Sequence, residues 1–295
     1  AYRPGAGIGS GHMGRIGSVS ISGGRVNASS GEGDAIGACL YSSKVPVSIT
    51  GGLFVGVLGD GASAGTVYKV KPSEGCVVRE SPFEDKDAYP YAVAAPAGDF
   101  MVTGGAQGVD YSYGSNVLEL RTGTPMVVSM KEGVSKTQDS RILVSAGTDA
   151  NITLAGVNIE LSGSYDCAFE IESGASAKLT LMKDSDNFLV SGASHAGLEV
   201  TGGASVTIGG EGSLTAKCFG KADAYGAGIG GGDGGSGGTV KISGGRIRAE
   251  SGSGTEISPT ATITGGSFAD DKAGSGVVYG VPLGEGFAVY DSGDA

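Results

Sequence analysis

The chain has 295 residues, of which 58 are glycine and none tryptophan, with aromatic residues at 6% and a formal net charge of −11. Glycine at that density excludes a helical bundle, because each interior glycine costs about 1 kcal/mol of helix stability relative to alanine, and its irregular spacing excludes collagen. The 39% of hydrophobic residues, spread along the chain, argue against disorder, and the acidic balance argues against nucleic acid and anionic membranes, which need basic patches.

Residues 1–59 carry short alternating runs in which Ile8, Val19, Val26, Ile36 and Val47 are the inward candidates. Period-2 alternation marks strands. Residues 60–98 break the pattern: Val67–Lys71 and Cys76–Arg79 read as a hairpin, and the charged stretch Ser81–Asp87 as a linker. Residues 99–124 read as a small β module in which Phe100–Thr103 and Val117–Leu120 flank a loop at Tyr111-Ser112-Tyr113, placed to cap the following solenoid. Residues 125–295 return to alternating runs. One inward column is expected at Ile152, Leu179, Val206 and Val240, a second at Val157, Phe188, Leu214 and Ile247, and a third at Phe169, Leu198 and Ile229.

The two ends of the chain repeat each other. Gly5-Ala6-Gly7-Ile8-Gly9 recurs as Gly226-Ala227-Gly228-Ile229-Gly230, Val19–Val26 recurs as Val240–Ile247, and Ile49–Phe54 recurs as Ile263–Phe268. With Ala1-Tyr2-Arg3-Pro4 at its start, the chain reads as a piece cut from a longer repetitive protein. Three short strands per turn of about 27 to 34 residues describe an all-β, right-handed parallel β-helix, the hand following from the crossover rule. Glycine clusters such as Ser22-Gly23-Gly24, Gly202-Gly203 and Gly209-Gly210 supply the corners.

Chemical motifs are sparse. Gly226-x-Gly228-x-x-Gly231 matches the dinucleotide fingerprint without the helix it needs, and Gly61–Gly65 and Gly234–Gly238 match G-x-S-x-G without a strand-to-helix elbow. His12 and His195 read as loop residues. Cys39, Cys76, Cys167 and Cys218 form no CxxC pair, and three of them read as small buried hydrophobes, with a disulfide left open. Acidic residues cluster at Glu84–Asp87 and at Asp184 with Asp186; the latter read first as a plain polar corner, with a Ca²⁺ site or a glycosidic carboxylate pair as the alternatives, and no other cofactor is implied. Tyr89 with Tyr91, and Tyr111 with Tyr113, are i, i+2 pairs whose rings either stack on a sugar or pack the small module. Lys241, Arg246 and Arg248 form the one cationic stripe, fit for an acidic glycan or for offsetting nearby acids.

The run Tyr225–Gly232, followed by Gly-Thr-Val-Lys-Ile-Ser-Gly-Gly, resembles the repeats of large bacterial surface proteins of gut Firmicutes and Actinobacteria. Asp110–Pro125 is similar to the module that precedes those helices, and Asn151–Ile159 to the first rung that follows. More loosely, the chain is similar to polysaccharide-binding β-helix domains. The resemblance implies an extracellular or cell-surface location and glycan binding, and supplies no catalytic residues. The expected partner is a glycan or host-surface ligand; the acidic charge argues against nucleic acid, and no apolar run approaches the 18 residues of a membrane span. A binding or adhesion module ranks first, ahead of a polysaccharide lyase or glycoside hydrolase and of a non-binding spacer.

Overall fold

The computed structural model describes residues 6–14, 17–30, 34–39, 44–55, 66–161, 166–219, 225–252, 254–269 and 277–288. It is all-β, with no helix among these residues, and its stacked parallel strands form a β-solenoid of about seven turns. The chain divides into two compact units, residues 1–96 with 101–110, and residues 97–100 with 111–295.

In the first unit each strand finds its counterpart one turn on. Ile8 pairs with Ile36, Val19 with Val47 and Arg25 with Leu53, all in parallel. Val19, Ile21, Ile36, Ile49 and Phe54 fill the interior with Tyr68 and Val93. Tyr68 meets Phe54 edge to face, with centroids 6.3 Å apart, and its hydroxyl accepts the Ala28 N–H at 3.0 Å. The expected hairpin is built differently. Val67 and Val70 bridge each other across Tyr68 and Lys69, whose φ angles of 50° and 63° make a tight turn. Val77–Glu80 instead pairs antiparallel with the strand that begins at Tyr91.

The second unit has three walls. The first stacks Met126–Met130, Asp149–Ala155, Ser176–Leu181, Ser205–Gly210, the start of Thr239–Glu250, and Thr262–Phe268. Its inner column runs Met126, Ile152, Leu179, Ile208, Ile242, Ile263 in unbroken register, with none more than 2% exposed. Each such side chain contributes about 1.5–3 kcal/mol by burial, and the rungs lie about 4.8 Å apart. The column differs from the expected one by two residues: Leu179 stacks on Ile208, and Val206 on Ala177. A two-residue slip keeps every side chain on its face, so alternation alone does not detect it.

The second wall stacks Asn158–Glu160, Asp186–Ser191, Ser213–Cys218 and the end of Thr239–Glu250. Leu214 pairs with Ile247 as expected, but Phe188 points outward and is 38% exposed, and Asn187 takes the inner place at 0%. The reason is hydrogen bonding. Asn187 Oδ1 accepts the N–H groups of Gly156 and Val157 at 3.0 and 2.9 Å, and its Nδ2 donates to the Ser213 carbonyl at 2.9 Å. One buried amide thus ties a corner of one turn to the turns beside it.

The third wall stacks Val117–Leu120, Arg141–Val144, Phe169–Ile171, Leu198–Val200 and Ile229–Gly230. Its inner column Leu118, Ile142, Phe169, Leu198, Ile229 is fully buried and contains the expected third column. Tyr111–Gly114 turns through Ser115 and Asn116 and is the antiparallel edge strand of this wall.

The internal repeat extends to backbone conformation. Gly9 and Gly230 have φ angles of 141° and 145°, and Gly24 and Gly245 of 81° and 90°, conformations open to glycine and strained for other residues. Gly5 and the Gly61–Gly65 motif lie outside the described residues.

Asn187→Ala removes the acceptor of two buried N–H groups and is expected to cost about 2–4 kcal/mol. Phe188→Ser is expected to change stability by less than about 1 kcal/mol. Urea unfolding of the two variants separates them.

Candidate functional site

Two outer faces of the second unit carry polar side chains in columns. On the first wall the outward positions form one column of Asp149, Ser176, Ser205 and Thr239, and beside it Asn151, Lys178, Thr207, Lys241 and Thr262. Every one of these is exposed or half-buried. Period-2 alternation puts them outside for the same reason that it puts the aliphatics inside. Lys178 and Lys241 stand two rungs apart, about 10 Å, across Thr207.

On the third wall the outward column is acidic: Glu119, Leu143, Glu170, Glu199. Glu119 accepts hydrogen bonds from Arg121 at 2.5 Å, Ser145 at 2.7 Å and Ser112 at 3.1 Å. These hold its carboxyl down at about 2, the Arg121 bond contributing most. Glu170 behaves oppositely. Burial, and then neighbouring Glu199, push its carboxyl above the ordinary range, although Arg141 reaches it at 3.3 Å. Glu199 is the most enclosed of the three, 8% exposed, and accepts from the Ala196 N–H at 3.1 Å. Its Oε2 lies 2.8 Å from His195 Nδ1. Cys167 Sγ lies close by, fully buried, and donates to the Phe169 carbonyl at 3.2 Å. Burial pushes this thiol up.

The expected site residues do not meet in one place. Tyr111 and Tyr113 share a face, as i, i+2 residues of a strand do, but it is the inner one, opposite Leu120 and Leu118. Tyr111 is 0% exposed and presents no ring to a ligand. Tyr113 is half-buried, packs on Gly98 and places its hydroxyl 2.9 Å from Ser140 Oγ. Tyr89 precedes the strand that begins at Tyr91, so the two are not an in-strand pair. Tyr89 lies under the Arg25 guanidinium, 5.8 Å from its centroid, while Arg25 pairs with Asp85 at 2.6 Å. Tyr91 is half-buried against the core of the first unit.

The cationic stripe is divided over two walls. Lys241 faces out from the first; Arg246 and Arg248 face out from the second, beyond the corner at Gly244 and Gly245. Arg248 pairs with Glu250 at 2.6 Å, which also holds Lys217 at 2.8 Å, and these contacts, Lys217 first, lower the Glu250 carboxyl. Arg246 donates to the Glu211 carbonyl at 3.3 Å. Asp184 sits in the turn with φ 58°, and Asp186 is exposed and accepts from Ser213. Among the described residues neither joins a third metal-type ligand; the one group of three whose donor atoms lie within 4.8 Å of one another is Cys167, His195 and Glu199. None of the four cysteines is in a disulfide, and Cys39, Cys167 and Cys218 are buried as expected. Gly226–Gly231 leads into a loop and a strand rather than a helix.

Sequence reasoning missed the acidic column, whose signal is the recurring triplet Leu118-Glu119-Leu120, Phe169-Glu170-Ile171, Leu198-Glu199-Val200. No protein-family model, curated protein or solved structure matches the chain.

The two carboxyl shifts have opposite consequences. The depressed Glu119 contributes stability that is present above the ordinary carboxylate range and is lost as the pH falls toward about 2. The raised Glu170 contributes stability that is present below that range and is lost as the pH rises through its elevated value. Glu119→Gln should therefore lower stability at neutral pH, the deficit shrinking on acidification, whereas Glu170→Gln should raise it at neutral pH and leave it unchanged in acid. Urea melts across that range check both signs.

Proposed function

We propose that the chain is a surface-displayed binding module that holds an extended, preferably acidic glycan against the outer face of the first wall. One observation carries this reading: the register of the wall lines up Asn151, Lys178, Thr207, Lys241 and Thr262 as one accessible column, flanked by Asp149, Ser176, Ser205 and Thr239. Hydroxyl, amide and ammonium groups recur there every 4.8 Å or so, close to the length of one sugar in an extended polysaccharide. Hydroxyls and amides match sugar hydroxyls, and the two lysines match carboxylate or sulfate substituents. The rigid strands hold the donors in place, which limits the entropy lost on binding. Location at the outside of a bacterial cell belongs to the same reading and rests on the resemblance of the repeats.

A carbohydrate-active enzyme is the second reading. It is favoured by Glu170 and Glu199 as register partners on adjacent rungs, with Glu170 shifted toward the acid form. Two carboxyl groups on one face are what glycosidic cleavage requires.

A glycan array followed by calorimetry tests the first reading. Lys178→Ala/Lys241→Ala is expected to weaken binding at least about tenfold, with affinity falling as salt rises, while Arg248→Ala leaves it unchanged. Unaltered binding by the double variant, or no binding to any glycan, overturns it. Release of reducing ends that Glu170→Gln abolishes supports the enzyme instead.

A further inference from the structure

The geometry points to a site for a borderline divalent transition-metal ion, of the Zn²⁺ class, formed by Cys167 Sγ, His195 Nδ1 and Glu199 Oε at one corner of the third wall. The three donor atoms lie within 4.8 Å of one another, and Nδ1 and Oε2 are already 2.8 Å apart. An ion bound at about 2.0–2.3 Å from each donor needs them roughly 3.5 Å apart. That asks only for a small parting of the His195–Glu199 pair and a turn of the sulfur toward it. The fold delivers the three side chains independently. Cys167 stands two residues before Phe169 at the start of one strand, Glu199 is the central residue of the strand stacked on it, and His195 lies in the turn leading into that second strand.

The surroundings suit a cation. Glu199 is 8% exposed and Cys167 1%, and a carboxylate in such a place needs a charged partner. Ala196 N–H holds Oε2 at 3.1 Å, the kind of outer contact that orients a ligand. The glycine-rich loop closes one side: a Cβ on Gly232 would come within 3.0 Å of Glu199 Oε2 and 2.9 Å of the Ser194 carbonyl oxygen. The His195 side chain remains 32% exposed, which leaves a path from solvent. A thiolate with an imidazole selects Zn²⁺, Co²⁺ or Cu²⁺ over Ca²⁺ and Mg²⁺. On binding, the Cys167 thiol proton leaves to solvent and the imidazole proton occupies Nε2, so that Nδ1 offers its lone pair. Three protein ligands leave a fourth position for water.

The test uses the whole chain, stripped with a chelator and titrated with Zn²⁺ alone, then with Co²⁺. One Zn²⁺ per chain is expected, with proton release, and the Co²⁺ form should show near-ultraviolet thiolate-to-cobalt absorption. His195→Ala, at the most exposed of the three positions, should weaken Zn²⁺ binding about tenfold or more. Cys167→Ser should abolish the thiolate band, circular dichroism confirming that both variants keep the β signature. Absence of stoichiometric Zn²⁺ binding to the parent chain, or a thiolate band that survives in Cys167→Ser, overturns the site. So does unchanged affinity in folded His195→Ala.

Discussion

Parallel register between successive turns is the constraint from which the second unit follows. Met126, Ile152, Leu179, Ile208, Ile242 and Ile263 lie one above another with their backbones hydrogen-bonded, and the third wall repeats the arrangement from Leu118 to Ile229. The interior is filled mainly by stacked aliphatic side chains, with a few rings such as Phe169, so a chain with no tryptophan still closes a buried core. The same register forces the outward residues into columns, and side chains distant in sequence become neighbours about 4.8 Å apart. Hydroxyls and lysines align on the first wall, and glutamates on the third.

Corners are the second requirement. A solenoid of short strands turns often, and each sharp bend needs backbone that most side chains resist. Glycine supplies it at Gly9 and Gly230 and at Gly24 and Gly245, with matching φ angles in the two copies of the repeat. Where glycine does not suffice, a buried polar side chain serves. Asn187 takes an interior place that a phenylalanine next to it in sequence leaves for solvent, because two corner N–H groups need an acceptor more than the core needs another ring.

Alternation, glycine punctuation and the long internal repeat made the β-helix legible in the sequence, together with the third column of Phe169, Leu198 and Ile229. Other features were not. Register was ambiguous by two residues at Leu179, since a slip of two preserves the face. Asn187 was invisible because its inward place depends on hydrogen bonds rather than on hydrophobicity. The glutamates of the third wall were scattered over some 80 residues and became a face only once the strands were stacked. Tyrosine pairs were legible as same-face pairs, but which face they took at Tyr111 was decided by the edge strand that carries them. Cys167, His195 and Glu199 belong to two turns, and no local spacing announces them.

Cross-linking tests the register most directly. Lys178 and Thr207 are aligned partners on the outer face, whereas Ser205 is two positions out of line with Lys178. Parallel neighbours fall within the Cα separation that a disulfide spans, and a two-residue offset does not. Under mild oxidation the Lys178→Cys/Thr207→Cys pair should close rapidly in the folded chain, and Lys178→Cys/Ser205→Cys should stay reduced. The reverse outcome, or no closure by the aligned pair, would contradict the stacking on which both polar faces depend.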